Sequence, residues 1–209
     1  MTPIAGSDLL IHVGCKEKKA GWTCLDMVAR EEVDLVSDMA DIAAVKDGNV
    51  KAIYASHVLE HRHYGKIGPQ FGPQGNSLDV LTEWHRILEK DGHLMISVPD
   101  LEALSGMFIN ERLGEGVEKA QRRFHIMRIM FGGNAEDGDV HMAGYDFDII
   151  GGFLEAAGFC RIKRVREFGL FNDSSVLWWD WEKGQTVHGG DVGEEGGVQI
   201  SLNVIARKC

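Results

Sequence analysis

The sequence predicts an α/β fold in which helices flank a mostly parallel sheet. Short apolar runs of strand length alternate with segments whose apolar residues recur at helical spacing, and glycine or proline closes several of the runs. This alternation predicts a parallel sheet, because parallel strands are joined by helical crossovers. The chain has 209 residues, of which 44% are hydrophobic, and we expect one domain over residues 1–209.

Four strands are predicted in the first part of the chain. Each is a short run rich in apolar residues and bounded by polar residues or glycine. They cover residues 9–13, 23–27, 33–36 and 50–55. Ligands of an open α/β sheet bind outside the carboxyl ends of its strands, so the loops after these four strands are the first place to look for a site.

The rest of the chain adds helices and three more strands. Ser77 is predicted to cap a helix that stops at Gly92, and Asp146 to cap one that ends at Gly158. Helical character is also predicted over residues 101–131. The further strands are predicted at residues 93–98, 159–168 and 198–206.

Charge and hydropathy exclude two classes of partner. The formal net charge is −10, and no run of Lys or Arg is long enough to follow a phosphate backbone, so we expect no nucleic-acid partner. No apolar run approaches the roughly 18 residues that span a bilayer, and the N-terminus lacks a signal-peptide pattern. We therefore expect no membrane association.

The four cysteines, Cys15, Cys24, Cys160 and Cys209, are scattered along the chain. They form no CxxC pair and no closely spaced ligand set, which is typical of buried, reduced thiols. The sequence therefore predicts a cytoplasmic protein with reduced cysteines.

Three residues at predicted strand ends favour an adenosine site. Gly14 follows the first strand, where backbone N–H groups can approach a ligand closely. Asp26 ends the second strand, where a carboxylate can bind both hydroxyls of a ribose. Asp38 follows the third strand and can accept from an exocyclic amine such as that of adenine. Each residue alone is also typical of an ordinary strand end, so the prediction rests on their order.

A dinucleotide is the competing ligand, because the same kind of fold binds it. Its fingerprint is G-x-G-x-x-G at the start of a helix. Here Gly14 has no second or third glycine, and too few residues precede Thr23 for a full helix. NAD is therefore the weaker hypothesis.

Several segments of the chain resemble one family: VGCKEKKAGWTCLDM, VDLVSDM, IYASHVLEH, LTEWHRILEKDGHLMISVPD, MFGG with HMAGYDFD, and ISLNVIARK. Over nearly its whole length the chain resembles the predicted S-adenosylmethionine (SAM)-dependent methyltransferases related to the type 11 group, which have the Rossmann-like class I fold. The resemblance implies a seven-stranded, mostly parallel sheet in the order 3-2-1-4-5-7-6, with the last strand antiparallel. It also implies SAM as cofactor, bound across strands one to four.

The resemblance further implies cofactor contacts, position by position. The methionine part is assigned to Gly14, Cys15 and Lys16, the ribose to Asp26 and Met27, the adenine to Asp38 and Met39, and the surroundings of the sulfonium to Ser56, His57 and His61.

Lys16 departs from the family, which usually has the second glycine of G-C-G at this position. A lysine held at positive φ there costs about 1–2 kcal/mol. An exposed charge pair between its ammonium and the methionine carboxylate contributes less than about 1 kcal/mol. We therefore expect Lys16→Gly to strengthen SAM binding.

The histidines allow a metal or a catalytic interpretation. His57 and His61 are four residues apart and His63 is close by, a spacing that suits a metal ion. No cysteine or carboxylate set completes a tetrahedral site, so we expect no metal. His61, His125 and His141 are candidate general bases, and a structural role is the alternative for each of them.

The predicted function is methyl transfer from SAM to a small-molecule acceptor, a metabolite or a sugar, the acceptor class resting on analogy. The alternative is a non-catalytic adenosine-binding or scaffold protein on the same fold, which Lys16 keeps open. Trp178, Trp179 and Trp181 lie between the last two predicted strands. Either a satellite hydrophobic cluster or an oligomer contact explains them, and the oligomeric state stays open.

Overall fold

The computed structural model describes residues 8–65, 76–133, 139–189 and 196–209, and its strands and helices are numbered in chain order. The strands are β1 (Leu9–Val13), β2 (Thr23–Asp26), β3 (Leu35–Val36), β4 (Val50–Ser56), β5 (Leu88–Pro99), β6 (Phe159–Val165), β7 (Leu177–Asp180), β8 (Gln185–His188), β9 (Gly197–Gln199) and β10 (Ser201–Lys208). The helices are α1 (Ser77–Ile87), α2 (Leu101–Ile109), α3 (Gly116–Phe131) and α4 (Phe147–Ala156).

Seven of these strands form the main sheet, in the order β3-β2-β1-β4-β5-β10-β6. Strands β1 to β5 run parallel to one another. Strand β10 is antiparallel to both of its neighbours, β5 and β6. Because β10 is the seventh strand of this sheet in chain order, the predicted order 3-2-1-4-5-7-6 and the antiparallel last strand are confirmed.

One face of the sheet carries the main hydrophobic core. Alternate strand residues such as Ile11, Ile53 and Leu94 point to this side and are fully buried. They pack in one cluster with Trp84 of α1 and Ile150 of α4. Each fully buried side chain of this size contributes roughly 1.5–3 kcal/mol, so this layer is a major source of the stability of the fold.

The opposite face is covered in part by an aromatic segment that follows β6. In the described residues 8–65, the connections from β1 to β2 and from β2 to β3 are turns and contain no helix. The rings of His12 and Tyr54 lie on this face, and their centroids are 4.4 and 4.3 Å from that of Phe171. The Tyr54 hydroxyl also donates to Asp173. The segment between β6 and β7 therefore packs against β1 and β4, close to the edge where a ligand is expected.

Helix boundaries follow local capping. Asn76, not the predicted Ser77, caps α1: its side chain accepts from the next turn, and Asp79 accepts from the Asn76 backbone N–H. Asp146 caps α4 as predicted, accepting from the Ile149 N–H at 2.8 Å. Within the described ranges, none of the helices is long and apolar enough to cross a membrane.

Several predicted boundaries were wrong, and two of them concern the helices. The region 101–131 forms two helices, because the chain turns at Asn110 and reaches φ +84° at Gly114 between α2 and α3. Strand β5 begins at Leu88, where the α1 helix was expected to continue. The Leu88 backbone is extended, with ψ 140°, which ends the helix at Ile87.

The tryptophan segment forms a small second sheet in the order β8-β7-β9. Trp178, Trp179 and Trp181 are all buried. Trp179 and Trp181 pack in a separate hydrophobic cluster with side chains of α2 and α3, including Met107 and Ile126. Of the two interpretations left open, the structure supports a satellite cluster.

The prediction of reduced cysteines is wrong, because the four residues form two disulfides. Cys15 pairs with Cys24, and Cys160 with Cys209, at Cα–Cα distances of 5.6 and 6.1 Å. Each bridge joins a residue within one strand to a residue one or two positions beyond the neighbouring strand, so a short sequence spacing is not needed. The redox state of the cysteines therefore no longer supports the predicted cytoplasmic location.

Candidate functional site

The predicted cofactor residues meet at one edge of the main sheet. Gly14, Asp26 and Ser56 stand at the carboxyl ends of β1, β2 and β4, which are neighbouring parallel strands. Asp38 lies two residues beyond β3, and His57 directly follows β4. This is the edge at which open α/β sheets bind their ligands.

Gly14 makes the sharp turn after β1. Its φ is +68°, a conformation that L side chains rarely adopt. A Cβ at this position would lie 2.1 Å from Cγ1 of Val58, so a side chain has no room. Its N–H donates to the Leu25 carbonyl at 2.8 Å. The glycine is therefore required by the close approach of Val58, and its N–H is already used within the fold.

Lys16 is exposed and does not carry the strain expected of it. In the described residues, the positive-φ positions other than glycine are His57, Asp91 and Arg161. The expected steric cost at Lys16 is therefore wrong, because the turn is made at Gly14. Cys15 is buried between these two residues.

Asp26 is tied to Arg30 at the end of β2. One oxygen of Asp26 accepts from the Val28 N–H at 2.8 Å, and the other accepts from Nη2 of Arg30 at 2.7 Å. The same Nη2 donates to the Cys15 carbonyl at 3.1 Å. The Asp26 side chain is 14% exposed. Arg30 thus links the ends of β1 and β2, and the neighbouring Met27 is exposed.

Asp38 is held by a buried arginine. Nη2 of Arg62 donates to both carboxylate oxygens, at 2.9 and 2.8 Å, and the Arg62 side chain is 5% exposed. The Ala40 N–H donates to the same carboxylate at 2.8 Å. Met39 packs against the core, and its carbonyl accepts from the indole of Trp84. The predicted adenine end of the site therefore also has a clear structural role.

Three histidines surround a buried carboxylate that sequence reasoning missed. Glu60 is fully buried in the short 3-10 helix Leu59–His61 that follows β4. His57 Nδ1 lies 3.2 Å from Glu60 Oε1, and the rings of His61 and His141 are 5.0 Å apart. His57 has a φ of 53°, a strained conformation of the kind that often marks functional sites. The one available signal was the carboxylate within SHVLEH.

The surroundings of Glu60 and of His141 shift the pKa values of these two groups. Burial alone raises the pKa of Glu60, but the nearby histidines, His57 foremost, outweigh it and hold the pKa below its ordinary value. Burial lowers the pKa of His141, although the Glu60 charge opposes this. A neutral imidazole can accept a proton, so His141 has the protonation state that a general base needs at neutral pH.

Comparison with known proteins gives a match in fold. No protein-family model and no curated protein matches the chain. A SAM-dependent methyltransferase from Archaeoglobus fulgidus superposes with a TM-score of 0.52, over 97% of this chain and 87% of its own, at 14% identity. The 1,6-didemethyltoxoflavin-N1-methyltransferase of Burkholderia thailandensis, solved with 1,6-didemethyltoxoflavin and S-adenosylhomocysteine, superposes with a TM-score of 0.50. That match covers 96% of this chain and 70% of the other, at 14% identity.

The chain has the class I methyltransferase fold. A SAM-dependent methyltransferase from Thermotoga maritima gives the same result, with a TM-score of 0.50 and 10% identity over 96% of this chain and 82% of its own.

Within the class I fold, the described residues fit SAM best at the ribose. Each carboxylate oxygen of Asp26 has two acceptor positions and uses one in the contacts above, so both can still accept from ribose hydroxyls. At the predicted sulfonium end, Ser56 Oγ lies 2.9 Å from Ser174 Oγ, and His57 Nε2 lies 3.3 Å from Ser201 Oγ. At the predicted methionine end, the Gly14 N–H is engaged with the Leu25 carbonyl and Lys16 is exposed.

His125 is placed differently from the other candidate bases. It lies on α3, and its ring centroid is 5.6 Å from that of Trp179 in the second hydrophobic cluster. Its pKa is lowered by burial and by Arg128. The structure thus brings His61 and His141 together beside Glu60 and gives His125 a packing contact instead.

Proposed function

We propose that the protein transfers a methyl group from SAM to a small-molecule acceptor, a metabolite or a sugar. The observation that carries the proposal is the partly exposed Asp26 carboxylate at the end of β2, beside the Gly14 turn of a class I fold. A carboxylate in this position suits two hydroxyls of a ribose.

Bound SAM supplies a sulfonium, which is an already activated methyl donor. The task of the protein is then to hold donor and acceptor in line and to exclude water. Asp26 anchors the ribose, and Ser56 and His57 line the methyl-bearing end. His61 or His141 accepts the acceptor's proton where the acceptor is a hydroxyl.

A small-molecule acceptor is supported by charge. The net charge of −10 disfavours a phosphate backbone as a partner. The similar fold of the Burkholderia thailandensis enzyme, solved with 1,6-didemethyltoxoflavin, is consistent with such an acceptor.

A second function is favoured by the two arginines. Arg30 and Arg62 occupy both carboxylates, Asp26 and Asp38, that would otherwise hold the adenosine. A protein in which these ion pairs weaken the hold on SAM would keep the fold and lose transfer activity. It would act as a non-catalytic adenosine-binding or scaffold protein.

Methyl-labelled SAM distinguishes the two functions. The protein is incubated with labelled SAM and a pool of small metabolites freed of protein and nucleic acid, with Asp26→Ala as the matched control. Methyl transfer predicts label in a metabolite for the wild type and a large loss for Asp26→Ala. If the protein binds S-adenosylhomocysteine but no metabolite in the pool becomes labelled, the non-catalytic function is supported.

A further inference from the structure

The histidine cluster contains the elements of a metal site. Glu60, His61 and His141 each offer one ligand atom, and these atoms all lie within 4.8 Å of one another. His141 arrives from the segment between α3 and α4. That segment is fixed beside Glu60, whose carbonyl accepts from the Met142 N–H at 2.7 Å and the Ala143 N–H at 3.2 Å.

Both histidines have the outer contacts that metal-binding histidines usually make. A ligating imidazole commonly donates its second ring nitrogen to a carbonyl or carboxylate, which fixes the tautomer and the ring orientation. His61 Nδ1 lies 3.0 Å from the Val140 carbonyl, which leaves Nε2 as the ligand atom. The His141 ring is hydrogen-bonded to the backbone of Met130, while its Nδ1 is buried without a hydrogen-bond partner.

The buried carboxylate provides the second, independent argument. Glu60 is fully buried, and neither of its oxygens receives a well-directed hydrogen bond. The nearest side-chain nitrogen that the ion pairs record is His57 Nδ1, 3.2 Å from Oε1. A buried carboxylate is costly unless a cation or several donors compensate it. A divalent cation held between Glu60, His61 and His141 would provide this compensation.

We infer that Glu60, His61 and His141 bind one divalent transition-metal ion of the zinc class. Two imidazole nitrogens and one carboxylate oxygen form the His2Glu set of catalytic zinc sites, which leaves a fourth position open. The ligand atoms of a tetrahedral zinc lie about 3.3 Å apart, given bonds of about 2.0 Å, so the two rings close inward when the ion binds.

The opposite expectation follows from residues that are neighbours in the sequence. Around His57, His61 and His63 no cysteine or carboxylate set completes a tetrahedral site in the sequence, and so no metal is expected from it. The fold supplies Glu60 from the same segment and brings in His141 from 80 residues further on. The inference does not depend on methyl transfer, since a metal can bind here whether or not SAM does, but a histidine whose acceptor nitrogen holds the ion does not also act as the general base.

Metal binding is tested on the full chain, purified without reductant so that the disulfides stay intact and then stripped with a chelator. Zn²⁺ is titrated by calorimetry and Co²⁺ by visible absorption. We expect one ion per chain and a Co²⁺ spectrum of a four- or five-coordinate nitrogen and oxygen site without a thiolate charge-transfer band. His61→Ala and His141→Ala should each weaken binding more than about tenfold. His125→Ala, a histidine outside the cluster, should bind like the wild type.

Circular dichroism and Tm establish that each variant is folded. If a variant does not fold, the stoichiometry and the Co²⁺ spectrum of the wild type alone test the metal site. The inference is overturned if the folded wild type binds no stoichiometric ion, if a thiolate band appears, or if the folded His61 and His141 variants bind as tightly as the wild type. S-adenosylhomocysteine titrated into the same stripped samples reports separately on the proposed cofactor site.

Discussion

Alanine substitutions of Asp26 and of Arg30 should affect cofactor affinity differently. Asp26→Ala removes two charge-assisted hydrogen bonds to the ribose, each worth roughly 1.5–3 kcal/mol. We therefore expect S-adenosylhomocysteine affinity to fall more than about tenfold. Arg30→Ala removes a competitor for the same carboxylate. That ion pair is partly exposed, with Arg30 38% accessible, so it contributes under about 1 kcal/mol. Affinity should then stay equal or rise by up to about fivefold.

Calorimetric titration of S-adenosylhomocysteine into both variants and the wild type measures this contrast. The Cys15–Cys24 disulfide joins the segment after β1 to β2 in both variants, so their folds should be comparable. Loss of Asp26 also removes its bond to the Val28 N–H, a stability change of roughly 0.5–1.5 kcal/mol that Tm will register. Unchanged affinity in Asp26→Ala, or a loss in Arg30→Ala as large as in Asp26→Ala, would refute the assignment of Asp26 to the ribose.

Three further predictions concern stability and the β1 loop. Burial lowers the pKa of His12 from 6.5 to about 4, so the neutral form is favoured in the folded state. This pKa difference contributes about 3 kcal/mol to the free energy of unfolding above pH 6.5, and the contribution is lost as the pH falls towards 4. In denaturant titrations, the free energy of unfolding of His12→Leu should therefore decline less than that of the wild type over this pH range. Reduction of the Cys160–Cys209 bridge, which closes a loop of 49 residues, should lower the free energy of unfolding by roughly 4 kcal/mol, and an unchanged denaturation midpoint after reduction would count against that pairing. Because Lys16 carries no positive φ, Lys16→Gly should weaken S-adenosylhomocysteine binding by up to about fivefold, and tighter binding would restore the family's loop geometry.

The strands were predictable where apolar runs are short and clearly bounded. Strand β1 has the predicted bounds, and β2 and β4 differ from theirs by one residue. A strand buried in a parallel sheet is a short apolar run, so it can be recognised from its own residues without knowledge of its neighbours. The order of strands came from resemblance and could not be derived from periodicity. The helix break at Gly114 was missed because both flanking segments are helical in character.

The site was predictable in location but not in its partners. Gly14 and Asp26 follow from strand ends, whereas the pairing of Asp38 with Arg62 joins residues 24 positions apart. The same holds for the two disulfides and for the approach of His141 to Glu60. These contacts depend on which strands become neighbours, and the residue types alone do not encode that.

Thermal unfolding with two nucleotides tests the central claim most directly. A ligand that binds only the folded state stabilises it by about 2.7 kcal/mol at roughly 100 times its Kd. For a chain of this length, this raises Tm by roughly 5–10 °C. S-adenosylhomocysteine should produce such a rise, and NAD should leave Tm unchanged. A larger shift with NAD than with S-adenosylhomocysteine would contradict the proposal that this class I fold binds SAM.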